Sequence, residues 1–214
     1  AQSYKNWEII FVDDGSDDDS FKAISNFKGN PKIKIFENKA NKGCGFTKAR
    51  CLQEANGVYC AFLDPDDTLE KDCIKKLYEI ISKDENLSMV TSQHRVCDKR
   101  LNEVSISPFN KGVNNNKTYF TSNDFHVTAF TLFSKKKYEM TNGINIELKR
   151  SVDQDLYYKL DEVGSITFLN EVLYNYRKLE GGLASGKNSL KAKYWHALVI
   201  NDNYYRRKKN GLSN

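Results

Sequence analysis

Two apolar runs that end abruptly in carboxylates constrain this chain more than any other feature. The first is Glu8-Ile9-Ile10-Phe11-Val12-Asp13-Asp14-Gly15-Ser16, and the second is Cys60-Ala61-Phe62-Leu63-Asp64-Pro65-Asp66-Asp67. A short β-rich run bounded by acidic and turn-forming residues reads as a buried strand with the charge at its C-terminal end. In open α/β sheets, ligands bind beyond the carboxyl ends of the strands. Two such ends would surround one crevice with carboxylates, which suits a divalent cation and the hydroxyls of a nucleotide sugar.

The spacing around these runs predicts an alternating order. Residues 7–12 form a strand, Ser16 and Asp17 cap a helix reaching about residue 27, and residues 33–36 form a short strand. Residues 45–56 read as a helix closed by Gly57. Residues 58–63 are continuously apolar, which predicts a central, parallel strand. Leu69, Cys73, Ile74, Leu77, Ile80 and Ile81 mark one face of a helix over residues 69–82. A strand at 87–91 completes β-α-β-α-β-α-β, the pattern of a parallel sheet with crossover helices. Beyond it, residues 94–123 are polar and weakly patterned, with a loop tip at Asn114-Asn115-Asn116-Lys117. Strands are expected at 127–133, 166–169 and 172–176, and helices at 153–163 and 187–208. In the last helix Leu190, Tyr194, Ala197, Leu198 and Asn201 lie along one stripe.

At 214 residues one α/β domain is the expectation. The 39% hydrophobic content with 12% aromatics suffices for a packed core and argues against disorder. The net charge of +5 is unevenly spread: residues 13–19 are acidic and Arg206-Arg207-Lys208-Lys209 is basic. That basic tail reads as a solvated helix end that could also touch an anionic membrane. No basic motif interleaved with aromatics supports nucleic-acid binding. The five cysteines form no C-x-x-C pair and are odd in number, which disfavours a disulfide scaffold or a structural zinc site. They read as reduced thiols of a cytoplasmic protein. The three histidines lie far apart, no apolar run reaches membrane-spanning length, and no signal-peptide pattern opens the chain.

Each candidate motif has a plain structural reading beside its functional one. Asp64-Pro65-Asp66-Asp67 could be a proline turn, or a D-x-D placed to share Mg²⁺ or Mn²⁺ with phosphates and water. Asp13-Asp14-Gly15-Ser16 could cap a helix, although capping does not require two carboxylates before the glycine. Asn41-Lys42-Gly43-Cys44-Gly45 opens a helix and could cradle a phosphate there. It lacks the third glycine of a dinucleotide fingerprint. Ser151-Val152-Asp153-Gln154-Asp155 could be simply an acidic first turn, favoured by the helix dipole.

Taken in order, these pieces resemble the family 2 glycosyltransferases, whose fold is the GT-A nucleotide-sugar-binding fold. Residues 7–16 resemble that family's "EIIVVDDGS" strand, and Asn41-Lys42-Gly43 through Ala49-Arg50 its "N-x-G…AR" segment. Residues 62–67 resemble "FLDxDD", and Val152-Asp153-Gln154-Asp155-Leu156 resembles "EDxDL" with Val152 in place of the usual Glu. Leu173-Tyr174-Asn175-Tyr176-Arg177 resembles the late "YR" strand. The resemblance spans about residues 4–178. The family normally opens with a strand ending in a "P-x-Y-N"-like segment. Residues 3–7 here look like those just before the family's second strand, so a first strand is expected upstream.

The resemblance implies an α/β GT-A domain over residues 1–186, with a mostly parallel central sheet and helices on both faces. Residues 1–93 would be the nucleotide part, 94–186 the acceptor part, and 187–214 a C-terminal helix. It implies inverting transfer from a nucleotide-diphosphate sugar, with uridine as the expected base, to a saccharide or lipid-linked saccharide in cell-surface polysaccharide synthesis. Asp153 would be the general base. Asp13, Asp14, Lys42, Arg50, Asp64 and Asp66 would bind the nucleotide sugar, and Arg50 or Arg177 would add charge near the phosphates. Asp66 would be the main ligand of Mg²⁺ or Mn²⁺, with Asp64 and Asp67 beside it. A cytoplasmic location is expected, with peripheral contact at the inner membrane face and a homodimer formed through an open strand edge as further options. Phe62-Leu63-Asp64-Pro65-Asp66-Asp67-Thr68-Leu69 also fits the D-x-D-x-T-L of haloacid-dehalogenase-like phosphatases. Those carry the motif on their first strand and need a late GDxxxD, absent here. A non-catalytic sugar-binding domain on the same fold is the other alternative.

Overall fold

The computed structural model describes residues 2–109, 111–113, 117–122, 127, 130–179 and 188–212. The elements are β1 (Ile9–Asp13), α1 (Ser20–Ser25), β2 (Ile33–Glu37), α2 (Cys44–Glu54), β3 (Tyr59–Cys60), β4 (Thr68–Leu69), α3 (Cys73–Ile81), β5 (Leu87–Cys97), β6 (Glu103–Ile106), β7 (Thr131–Ser134), α4 (Lys135–Glu139), α5 (Val152–Asp161), β8 (Ser165–Arg177) and α6 (Ser189–Lys209). Among the described residues no helix is long and apolar enough to cross a membrane. The loop tip expected at residues 114–116 lies outside the described residues.

The α/β architecture stands, but the strand pairing is mixed rather than mostly parallel. A six-stranded sheet runs β3-β7-β5-β8-β4, with β6 also on β5, and β1 pairs with β2 apart from it. Among the described residues only β5–β8 and β1–β2 are parallel. Alternation along β5 builds a core on each face. Met89 points into the cluster with Leu52, Phe133, Val152, Leu156, Leu160 and Val199. Its neighbour Val90 points the other way, among Cys73, Leu77, Ile81, Leu132 and Leu173. Successive strand residues face opposite sides, so one strand organises helices on both faces of the sheet.

The 58–63 run is neither central nor parallel. Only Tyr59 and Cys60 pair, antiparallel to Phe133 and Ser134 at the end of the strand order. The chain then leaves the ladder and turns, the amide of Asp67 donating to the carbonyl of Asp64 at 3.1 Å. The two acidic strands are joined by a side chain instead: Glu8 accepts from the amides of Asn56 (2.6 Å) and Gly57 (3.0 Å). α2 ends in extended backbone at Ala55, so Gly57 is not a left-handed cap. The strands expected at 166–169 and 172–176 are one strand, β8, whose register against β5 shifts near Ser92–His94. The polar middle extends β5 to Cys97 and adds β6.

The terminal helix is reversed relative to its pattern. The buried residues of α6 are Val199, Asn203 and Arg207, while Leu190 and Tyr194 of the expected stripe are among the exposed large hydrophobics. α5 presents acids to α6: Asp155 accepts from Asn203, and Asp161 pairs with Arg207 at 3.3 Å. This hydrogen bond and this ion pair hold the polar side of α6 inward.

Candidate active site

The end of β1 is a rigid turn. Buried Asp13 accepts from the amide (2.9 Å) and hydroxyl (2.6 Å) of Ser16. Asp14 accepts from Asn38 Nδ2 (2.7 Å) and from the amides of Lys42 (2.9 Å) and Gly43 (2.8 Å). Burial pushes the Asp14 carboxyl up, but these bonds outweigh it and hold the carboxyl below its usual range. Gly15, at φ +70°, lets the turn press on the 40–41 segment; a Cβ there would stand 2.8 Å from Ala40 C and Asn41 N. The amides expected to cradle a phosphate before α2 are thus held by Asp14, a carboxylate supplied within the chain, and that of Gly45 by Leu148 O (3.1 Å). Gly45 is itself required, since a Cβ would meet Asn145 O at 2.6 Å.

Arg50, expected near the phosphates, makes its contacts within the chain. Its guanidinium donates to Glu37 O (2.7 Å) and Asn38 Oδ1 (2.5 Å) and lies 5.5 Å from the Phe36 ring centre. It fastens α2 to the end of β2. The side chain of Lys42 is exposed.

Asp64, Asp66 and Asp67 diverge in role. Asp67 is buried, takes a hydrogen bond from Tyr174 Oη and accepts the Arg177 amide at 2.6 Å. Both oxygens of Asp67, expected beside the metal, are hydrogen-bonded to β8. Asp64 is exposed at the cleft surface, yet crowding by protein lifts its carboxyl above the usual range; Lys48 opposes that shift, and Asp153 and Asp66 add to it. Asp66, half-buried, is its carboxylate neighbour. Arg177 ends β8 beside this group, with Nε buried and lacking a hydrogen-bond partner among the described residues.

Asp153, the expected base, comes from another part of the fold. Ser151 adopts a left-handed conformation (φ 57°), and α5 begins at Val152. Asp153 in its first turn pairs with Lys48 of α2. Burial works against the charge on Lys48, but Asp153, Cys44 and Asp64 hold it protonated, above the usual lysine value. Its ammonium also lies 4.8 Å from the Phe62 ring centre. Cys44 feels the charges of Lys48, Asp153, Asp64 and Asp14, so the two acidic strand ends and the start of α5 converge on one region. Buried Tyr157 lies beneath it, its hydroxyl pushed up by burial and by Asp153. Asp155 faces the interior, paired with Lys159 at 2.6 Å.

Lys48 and Tyr174 were not read as site residues from the sequence. Lys48 lies inside a quoted motif, but its partner is 105 residues away, and no local spacing signals it. A divalent cation fits this donor set. Asp64 and Asp66 form a pair of hard oxygen donors, and carboxylates outnumber the one ammonium among them. Among the described residues no three His, Cys, Asp or Glu side chains group tightly enough to hold an ion. The protein would therefore supply two carboxylates and leave the rest of the shell to phosphate and water, a usual arrangement for Mg²⁺.

The profile of glycosyl transferase family 2 matches residues 1–140. The chain is 29% identical over 206 residues to a chondroitin synthase of Escherichia coli, covering 96% of this chain and 29% of that protein. It is 28% identical over 212 residues to a hyaluronan synthase of Pasteurella multocida, covering 96% of this chain and 21% of that protein. The chain thus spans less than a third of the length of these curated relatives. Among solved structures, S. aureus TarS in complex with UDP-GlcNAc superimposes with a TM-score of 0.72 at 19% identity, over 92% of this chain and 58% of that one. That likeness shows a shared fold.

Proposed function

The chain belongs to glycosyl transferase family 2, and from that premise we propose that it transfers a sugar from a uridine-diphosphate donor to a saccharide hydroxyl, with inversion at the anomeric carbon. The observation that carries this reading is the convergence of Asp153 and Asp64 on Lys48, with Asp66 beside Asp64. The polysaccharides in the names of the chondroitin and hyaluronan synthases support a saccharide acceptor, and the UDP-GlcNAc bound to TarS supports the donor class.

Asp64 and Asp66 would hold Mg²⁺ or Mn²⁺ and the ribose side of the donor. The cation supplies Lewis-acid neutralisation of the leaving diphosphate. Arg177, at the carboxyl end of β8, adds fixed positive charge on the same side. Asp13 and Asp14 shape the nucleotide side by fixing the β1 turn and the approach to α2. Asp153 receives the acceptor proton. A carboxylate is too weak a base to strip a sugar hydroxyl in advance. It takes the proton as the acceptor oxygen bonds to the anomeric carbon and the bond to the diphosphate breaks. Lys48 engages Oδ1 of Asp153, leaving Oδ2 to receive that proton.

The test is calorimetric. UDP should bind more tightly with Mn²⁺ than with EDTA, and Asp66→Ala should abolish the difference. Equal UDP affinity with and without metal in the unmutated chain would sink the assignment. Release of UDP from a panel of UDP-sugars, with chondroitin or hyaluronan oligosaccharides as acceptors, then identifies the donor.

A further inference from the structure

The exposed side of α6 carries five large hydrophobic side chains among its lysines. Its inward side carries Val199, Asn203 and Arg207, all at most 2% exposed, and these polar groups are committed to Asp155 and Asp161 of α5. Arg206 beside them holds Glu162 at 2.7 Å. The opposite side runs Leu190, Tyr194, Ala197, Asn201 and Tyr205, in steps of four and three that draw one line along a helix. Leu190 is 75% exposed, Tyr194 62% and Tyr205 61%, with Ile200 and Tyr204 widening the strip. Exposed Lys191, Lys193, Lys208 and Lys209 border it, and Asp202 is the helix's one acid.

We propose that this face of α6 lies in the headgroup region of an anionic lipid bilayer, with the helix axis along the membrane plane. A 21-residue helix offers roughly 30 Å of contact at ~1.5 Å per residue. Interfacial helices combine an apolar strip with basic residues, and their binding grows with apolar area and with attraction to anionic lipid. Tyrosine suits a boundary that is apolar on one side and wet on the other. Lysine stems can lie along the apolar strip while their ammonium groups reach phosphates. A bilayer surface supplies both the apolar layer and the negative charge that this face requires. A second copy meeting it face to face would set lysines against lysines, an unfavourable like-charge contact.

Vesicle co-sedimentation tests this. The chain should pellet with vesicles of phosphatidylcholine plus phosphatidylglycerol, pellet much less with phosphatidylcholine alone, and be released by salt. The triple variant Leu190→Glu, Tyr194→Glu, Tyr205→Glu should lower the bound fraction at least ~10-fold, as loss of the apolar strip demands. Its circular dichroism and melting temperature should stay unchanged, because all three side chains are exposed. Changing the four lysines to Gln should remove the preference for phosphatidylglycerol. Absence of binding to either vesicle, or binding untouched by the triple variant, overturns the proposal. So does a dimer in light scattering that the triple variant dissociates, which would make a second copy the occupant.

Discussion

Asp153 and Asp155 stand two residues apart in α5 and do unrelated work. Asp153 is partly exposed and meets Lys48; Asp155 is 4% exposed and meets Lys159 and Asn203. Asp153→Asn keeps the shape but removes the proton acceptor, so turnover should fall about 10²-fold or more, the usual scale for general-base loss. UDP affinity measured by calorimetry should stay within error. Retained turnover in Asp153→Asn, with loss in Asp155→Asn at unchanged stability, would show the base is misassigned. Asp14 makes a pH prediction. Its carboxyl is held below 3.8 in the folded chain by the amide and side-chain bonds described above. A depressed folded pKa stabilises above the unfolded value and is lost as pH falls through the folded one. The melting-temperature gap between the unmutated chain and Asp14→Asn should therefore be constant from about pH 7 to 5 and close below about pH 4, near the ordinary aspartate value. A gap unchanged at pH 3 would show that Asp14 acts only through packing. Both aspartates were legible as residues, because a carboxylate cluster after an apolar run is local information. Which of them is buried depends on elements far away in the chain.

At the scale of elements, the α5–α6 contact is the least ordinary feature. Lys159 and Asp155 are 8% and 6% exposed as side chains and are 2.6 Å apart; Lys159 also donates to Gly143 O at 2.8 Å. Removing one member of a buried pair strands the other's charge at a cost of about 3–5 kcal/mol. Lys159→Met should therefore lower stability in urea titration by about that amount. The double change Asp155→Leu, Lys159→Met should cost clearly less, because no lone charge remains. If the double variant is as unstable as the single, the pair contributes through its geometry rather than its charge. Helix positions were read well where an apolar stripe met the sheet, as with Cys73, Leu77 and Ile81 in α3. The reading failed for α6, because an apolar stripe is assumed to face inward. There, Arg206 and Arg207 pair with acids of α5 while Leu190 and Tyr194 of the expected stripe stay exposed.

For the whole molecule, the division of the sheet matters most. β1 and β2 pair only with each other, and the apolar residues of β1 remain half-buried or exposed. β5 and β8 sit between neighbours and share a ten-position register. Native-state hydrogen exchange should be fast in the β1–β2 pair and slow in β5 and β8, since protection follows buried, enclosed pairing. Equal protection across both would mean the two sheets unfold as one unit. The chain's family and its α/β class were legible in the sequence, because the motifs are short, ordered runs whose chemistry is contained in neighbouring residues. Helices on both faces followed from the family resemblance, and β5 serves them by turning Met89 and Val90 into opposite cores. Strand order and direction were not. Pairing joins residues far apart in the chain, and an apolar run buried on both faces looks the same whether its neighbours run parallel or antiparallel. The assignment of carboxylates within the site was likewise left to the tertiary structure. Asp67 became a buttress because Tyr174 and Arg177 reach it from β8. Arg50 became a fastening for β2, and Lys48 entered the site because α2 and α5 place it against Asp153. Residue type determined which groups could bear the chemistry. Long-range packing decided which of them were already hydrogen-bonded and which still face the cleft.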